Sequence, residues 1–250
     1  MAQTGCEVTE SSPYKEEVRR YYVDKVESMA PANPFFDVKL QILKESCRPW
    51  YEVLDAGCGN GNFGLEIAQE VKTLFGCDLT IEMLEYFSRR ARERGMMNLN
   101  LATGDLTSLP FKSSRFDLIY SYSTLYYIRE MEEVLSEFHR VVKPGGMVIL
   151  ELATKYNIQA WHSRLRFDCP QFYLGPWAID NLVQSAGFTI IQKRYFHLVP
   201  PFLHKGIGYP LFIRIRGKTL DEWISSIPFI RSLSFKVLIF GKRQESSHPC

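Results

Sequence analysis

The run Val53-Leu54-Asp55-Ala56-Gly57-Cys58-Gly59-Asn60-Gly61-Asn62 constrains this chain more than any other segment. An apolar strand leads straight into a turn with glycine at every second position, and a helical pattern follows. Glycine reaches left-handed backbone without a Cβ penalty, so Gly57, Gly59 and Gly61 predict a sharp turn whose main chain can lie against a ligand. The helix behind it offers free N–H groups, which favour a ligand with negative charge or many acceptor atoms. Strand, glycine turn and helix in succession open a βαβ crossover, and the fold class that follows is α/β.

The rest of the chain continues the alternation. Strands are predicted over 52–56, 72–77, 99–103, 116–121, 147–152, 188–196 and 234–241. Helices are predicted over 61–71, 81–94 (with Thr80 as N-cap), 131–142 and 176–186, the last closed by Gly187 at its C-cap. Two helices precede them, over 13–28 and 35–44, split by Pro31-Ala32-Asn33-Pro34. Leu118-Ile119-Tyr120 and Val148-Ile149-Leu150 are apolar without alternation, as strands covered on both faces are. The expectation is a doubly wound, mostly parallel, seven-stranded Rossmann-like sheet with helices on both faces. A length of 250 residues suits one domain. Within it, 1–48 reads as a helical cap, 49–196 as the cofactor-binding core, 197–233 as an insertion, and 234–250 as the last strand and tail.

Two ligand classes use such a turn: dinucleotides and S-adenosylmethionine. A dinucleotide fingerprint wants Gly-x-Gly-x-x-Gly, and the third glycine position holds Asn62. Asp55 just ahead of the turn disfavours a nearby pyrophosphate and suits the cationic end of S-adenosylmethionine. Asp78 closes the next strand at about the spacing where a carboxylate meets ribose hydroxyls, although the same position serves as a turn or capping residue.

Five ordered segments carry a resemblance: 53–62, Cys77-Asp78-Leu79-Thr80, Gly104-Asp105-Leu106 with Leu109-Pro110-Phe111, Phe116-Asp117-Leu118-Ile119, and Val142-Lys143-Pro144-Gly145-Gly146. The chain resembles the class I S-adenosylmethionine-dependent methyltransferases, in the small-molecule group similar to the ubiquinone and menaquinone biosynthesis enzymes. The resemblance implies that Asp55, Gly57, Gly59 and Gly61 hold the methionine end of the cofactor. It implies Asp78 on the ribose, Leu79 against the adenine, Asp105 on the adenine amino group, and Leu106 in a backbone contact. Ser121 and Tyr122 are expected to face the reacting methyl.

Methyl transfer requires alignment of nucleophile, methyl carbon and sulfur, and a base only where the acceptor is protonated. No fixed catalytic signature is found. His162, Tyr122 and Tyr126 are candidates for a proton acceptor, His162 because its free pKa is near neutral. The acceptor pocket is expected from Tyr14, Tyr21 and Tyr22 in the first helix, from Tyr122 to Tyr127, and from the loop with Tyr156, Trp161, His162, Arg164, Arg166 and Tyr173. The product expected is O-methylated. A non-catalytic S-adenosylmethionine-binding module and an RNA or protein methyltransferase are the rival readings.

Charge is uneven. Lys and Arg number 20 against 25 Asp and Glu through Phe188, and 10 against 3 from Thr189 onward. The basic end fits an anionic or amphipathic acceptor, peripheral contact with an acidic membrane, or a plain solvated face. No nucleic-acid module is appended, which argues against that partner. The six cysteines show no Cys-x-x-Cys spacing, so no metal is expected, and Cys58 and Cys77 read as buried thiols. No apolar signal core or membrane span is apparent, and the expected compartment is the cytoplasm. Oligomeric state is not readable.

Overall fold

The computed structural model describes residues 12–28, 34–157, 160, 169–196, 214–215, 218–225, 227 and 229–245. Seven strands form one sheet: β1 (Glu52–Ala56), β2 (Thr73–Asp78), β3 (Leu99–Thr103), β4 (Phe116–Ser121), β5 (Val142–Ala153), β6 (Phe188–Phe196) and β7 (Lys236–Arg243). Their order is 3-2-1-4-5-7-6. The first five are parallel, and β7 lies antiparallel between β5 and β6. The helices are α1 (Pro13–Val23), α2 (Pro34–Ser46), α3 (Gly64–Ile67), α4 (Ile81–Glu93), α5 (Met131–Val141), α6 (Pro176–Ser185) and α7 (Leu220–Ser225). No described helix is long and apolar enough to cross a membrane.

Period-two alternation divides the apolar residues between the two sheet faces. Leu54, Phe75, Ile119, Val148, Leu150 and Ile239 pack on the side covered by α5 and α6, through Val134, Phe138, Ile179 and Val183. Val53, Leu74, Leu118, Ile149 and Leu238 pack on the other side, against Phe35 and Leu43 of α2, Leu65 of α3 and Phe87 of α4. Because both faces are covered, the strands need no polar alternate positions. A third, smaller cluster of Tyr126, Tyr127, Tyr173 and Phe235 sits beyond the carboxyl end of β5, with Tyr21 and Tyr22 of α1 packed on it.

Several boundaries differ from the sequence pattern. The helix expected from Gly61 to Val71 is only α3, followed by a 3₁₀ turn over Ala68–Glu70. Positive φ at Gly57, Gly59 and Gly61 (77°, 51° and 80°) keeps the loop out of right-handed geometry until it has cleared the third glycine. The first helix ends at Val23 rather than Ser28, and the chain turns over 24–28, where the Asn60 side chain donates to the Val26 carbonyl at 3.0 Å. Strand β5 begins at Val142: Val142 pairs with Phe116 and Met147 with Leu118, so the Lys143–Gly146 stretch bulges within the strand. Lys143 ties that bulge to Asp117 at 2.8 Å, and Asp117 also accepts from the Glu52 N–H. Thr80 stands at the N-cap of α4 but makes no side-chain capping bond.

Within the expected insertion, Arg214–Ile215 and Lys218–Thr219 form a short antiparallel pair. The helix α7 follows and packs on β6, where Glu222 receives the Arg194 guanidinium. Cys47, Cys58, Cys77 and Cys169 are buried free thiols.

Candidate functional site

The carboxyl ends of β1, β2 and β4 and the turn after β3 open into one cavity of about 290 Å³, capped by α1. Such placement follows from parallel strands, whose loops of one hand collect at one sheet edge. Three carboxylates line it: Asp55 from β1, Asp78 from β2 and Asp105 after β3.

Each glycine of the loop answers a different demand. A Cβ on Gly57 would stand 2.3 Å from Thr124, and one on Gly61 would stand 2.1 Å from the Phe87 ring. A Cβ on Gly59 would meet nothing within 4 Å, and Gly59 borders the cavity. The loop is pinned from below by the Gly57 and Cys58 N–H groups, which donate to the Cys77 carbonyl at 2.8 and 3.1 Å. Arg90 of α4 pins its far end, donating to the Asn60 carbonyl and the Asn62 side chain, both at 2.9 Å.

The carboxylates differ electrostatically. Asp55 is buried and accepts from the Tyr120 hydroxyl at 2.7 Å; burial outweighs that bond and pushes its carboxyl up to about 7. Asp78 accepts from the N–H groups of Gly59 (2.8 Å) and Thr80 (2.9 Å), yet burial still raises it. Burial acts on Asp105 too, but Lys15 of α1 at 2.7 Å and the Thr107 N–H and hydroxyl hold it below the ordinary value.

Of the residues singled out from sequence, Asp55, Gly57, Gly59, Asp78, Leu79, Asp105, Leu106 and Tyr122 border the cavity, as do Tyr22 and Tyr127. Gly61 does not; it serves the packing of the loop on Phe87. Ser121 does not either, because its hydroxyl donates to the Ala56 carbonyl at 2.8 Å inside the sheet. Tyr126 is buried in the third cluster, where its hydroxyl accepts from Lys236 at 3.1 Å. Tyr21 packs edge-on against Tyr22 behind the cavity wall, and the Tyr14 hydroxyl is taken by Glu130. Tyr156 is exposed, and Tyr173 is buried against Phe235. Trp161, His162, Arg164 and Arg166 lie outside the described residues.

A charged group that sequence reading missed also borders the cavity. Lys39 of α2 borders it, and its ammonium lies 2.5 Å from Glu151 of β5, which is fully buried. Lys236 of β7 contacts the other oxygen of Glu151. Glu151 is shared between two cations, which overcome burial and hold it down at about 2. Lys39 has half a carboxylate against full burial and a second ammonium nearby, so burial wins and lowers it to about 8. An aromatic wall adjoins Lys39: Phe36 and Phe63 (ring centres 4.5 Å apart), then Phe63 and Tyr122 (5.0 Å). The buried Tyr122 hydroxyl has no hydrogen-bond partner among the described residues.

The donor set fits a ligand with a cationic end and a diol. A buried carboxylate at the strand end, a second carboxylate beside an unencumbered glycine, and the apolar Leu79, Met83 and Leu106 surround the same space. A family profile described as "Methyltransferase domain" matches residues 53–146, which contain the glycine loop and all three carboxylates. A demethylmenaquinone methyltransferase of Anoxybacillus flavithermus is 30% identical over 182 residues, covering 62% of this chain and 77% of that protein. A malonyl-[acyl-carrier protein] O-methyltransferase of Pectobacterium atrosepticum is 30% identical over 166 residues, covering 63% and 64%. The chain spans 46% to 64% of the length of the first curated relatives it matches. The crystal structure of geranyl diphosphate C-methyltransferase from Streptomyces coelicolor A3(2) superposes with a TM-score of 0.63 at 16% identity, covering 93% of this chain and 99% of that one. With the sheet order, the loop geometry and the extent of the match in agreement, the chain belongs to the class I S-adenosylmethionine-dependent methyltransferases.

Proposed function

We propose that this chain transfers the methyl group of S-adenosylmethionine to an oxygen of a small-molecule acceptor. The observation that carries the reading is the convergence of Asp55, Asp78 and Asp105 on one cavity around the glycine loop. When bound, the cofactor supplies a methyl carbon on a sulfonium leaving group. Asp55 neutralises the cationic methionine end, and Gly57 and Gly59 let main chain lie beside it. Asp78, oriented by two N–H bonds, receives the ribose hydroxyls. Leu79 and Leu106 would flank the adenine, and Asp105, held by Lys15 from α1, would accept from its amino group. Tyr22, Tyr122 and Tyr127 form the acceptor side, where α1 and the aromatic wall exclude water.

A relative named as an O-methyltransferase supports the choice of oxygen. In this reading the whole chain is one methyltransferase domain, with 1–48 as its cap. The buried free thiols suit a reducing, cytoplasmic setting. Incubation with methyl-labelled S-adenosylmethionine and fractionated metabolites should move label into a small organic product. Asp78→Asn should weaken S-adenosylhomocysteine binding about ten- to hundred-fold, the weight of a hydrogen bond to a charged group. Tight binding of S-adenosylhomocysteine without label transfer to any small-molecule fraction would overturn the reading.

A further inference from the structure

The cavity is lined by charges of both signs. Asp55, Asp78 and Asp105 line it together with Lys39, which is backed by Glu151 and Lys236. Two ammonium groups face one carboxylate there, which leaves one net positive charge in a buried place. A buried unbalanced cation is costly, and its cost falls when a ligand brings the missing anion. The position is also half apolar, since Phe36, Phe63 and Tyr122 form a continuous ring wall beside Lys39. Tyr122 adds a buried hydroxyl that finds no acceptor among the described residues.

We infer that Lys39, supported by Glu151 and Lys236, is the docking point for a single ionised oxygen group on an acceptor with an apolar or aromatic body. Lys39 lines the same cavity as the three carboxylates, so the space offers charges of both signs to its ligands. The carboxylates suit the ammonium and sulfonium of the methionine moiety, and Lys39 suits an anion on the acceptor. Glu151 holds both lysines in place while leaving the charge one short of neutral. Lys39 thereby becomes a specificity-determining residue, and the Tyr122 hydroxyl is a second donor for the same oxygen group. The inference rests on the methyltransferase reading for the identity of the other ligand.

The experiment keeps the two claims apart. Binding of S-adenosylhomocysteine alone, by calorimetry, tests the cofactor reading. Benzoate and hexanoate are then compared with benzamide and hexanamide on protein saturated with S-adenosylhomocysteine, near neutral pH where the acids are ionised. The carboxylates should bind about ten-fold or more tightly than the amides, as a charge-assisted hydrogen bond in a buried site requires. Lys39→Met should abolish that preference with S-adenosylhomocysteine binding retained, and Lys39→Arg should keep it. Glu151→Gln should narrow the preference near neutral pH, because the buried Lys39 gives up its proton more readily once the carboxylate that holds it charged is gone. Where that variant fails to fold, Tyr122→Phe replaces it and should lower carboxylate affinity more than amide affinity, because the bond to the ionised group is the stronger one. Equal binding of acids and amides by the wild type overturns the inference. So does a preference that survives Lys39→Met.

Discussion

Glycines 59 and 61 look interchangeable on paper, and their surroundings give them opposite duties. Gly61→Ala drives a methyl into the Phe87 ring at 2.1 Å while φ stays at +80°. Overpacking and left-handed strain together should cost about 2–5 kcal/mol in urea unfolding. Gly59→Ala meets no atom within 4 Å, so only the φ of +51° weighs on the fold, about 1–2 kcal/mol. Its new methyl enters the cavity, so S-adenosylhomocysteine affinity should drop by more than stability does. Equal stability losses in the two variants would defeat this assignment. Asp55 carries a separate signature. Its folded value of about 7 exceeds the ordinary 3.8, so the folded chain holds a proton that the unfolded chain has lost. Stability from this group is therefore complete below about pH 4 and lost as pH rises through 7. Asp55→Asn should be more stable than wild type above pH 7, by up to about 4 kcal/mol. The same variant should bind S-adenosylhomocysteine about a hundred-fold more weakly, having no charge for its ammonium. Loss of both stability and affinity would instead mark Asp55 as a structural acid.

At the level of elements, α1 decides how the cavity is closed. Lys15 reaches Asp105, Arg19 reaches Glu82 at 3.1 Å, and Tyr14 reaches Glu130, so three side chains clamp one helix across the opening. The Lys15 pair is only partly shielded, and its strength is modest. Lys15→Met should speed S-adenosylhomocysteine association several-fold in stopped-flow fluorescence, and an unchanged association rate would remove the clamp from consideration. The elements also show where sequence pattern suffices. Strands β1, β2 and β4 are short, largely apolar runs that carry Asp55, Asp78 and Ser121 at or next to their carboxyl ends. The glycine-loop side of the cavity is legible in the sequence because strand, turn and carboxylate are neighbours in the chain. Lys39, Glu151 and Lys236 are not. They come from α2, β5 and β7, and Lys39 and Glu151 are separated by 112 positions, so no local pattern joins them. The Ser121 hydroxyl donates to the neighbouring strand's Ala56 carbonyl, a tertiary demand invisible along the chain. The short α3 was misjudged because an apolar pattern continues through Ala68–Glu70 while the backbone tightens into 3₁₀ geometry before β2.

For the molecule as a whole, the Lys39–Glu151–Lys236 group joins three parts that are distant in sequence: the α2 layer, the parallel half of the sheet and its antiparallel β7. Its ionisation should therefore show in global unfolding. Glu151 titrates at about 2 when folded, against an ordinary 4.5, so the unfolded chain binds the proton first. The stability it contributes is present above pH 4.5 and lost as pH falls through 2. A shift of that size corresponds to about 3 kcal/mol in a fully buried group. Lys39 works in the other direction: at about 8 folded against 10.5 ordinarily, it leaves the folded chain with fewer protons between those values. Stability from Lys39 therefore rises as pH climbs from 8 to 10.5. Urea midpoints across pH 3–10 should show both limbs in the wild type. Glu151→Gln should be weaker by about 3–5 kcal/mol at neutral pH, since two buried ammonium groups lose their carboxylate, and its acid limb should flatten. Lys39→Met should flatten the alkaline rise while keeping the acid limb, because Lys236 still pairs with Glu151. Parallel curves for all three proteins would mean that the group is electrostatically silent, and that α2 is held to the sheet by its apolar contacts alone.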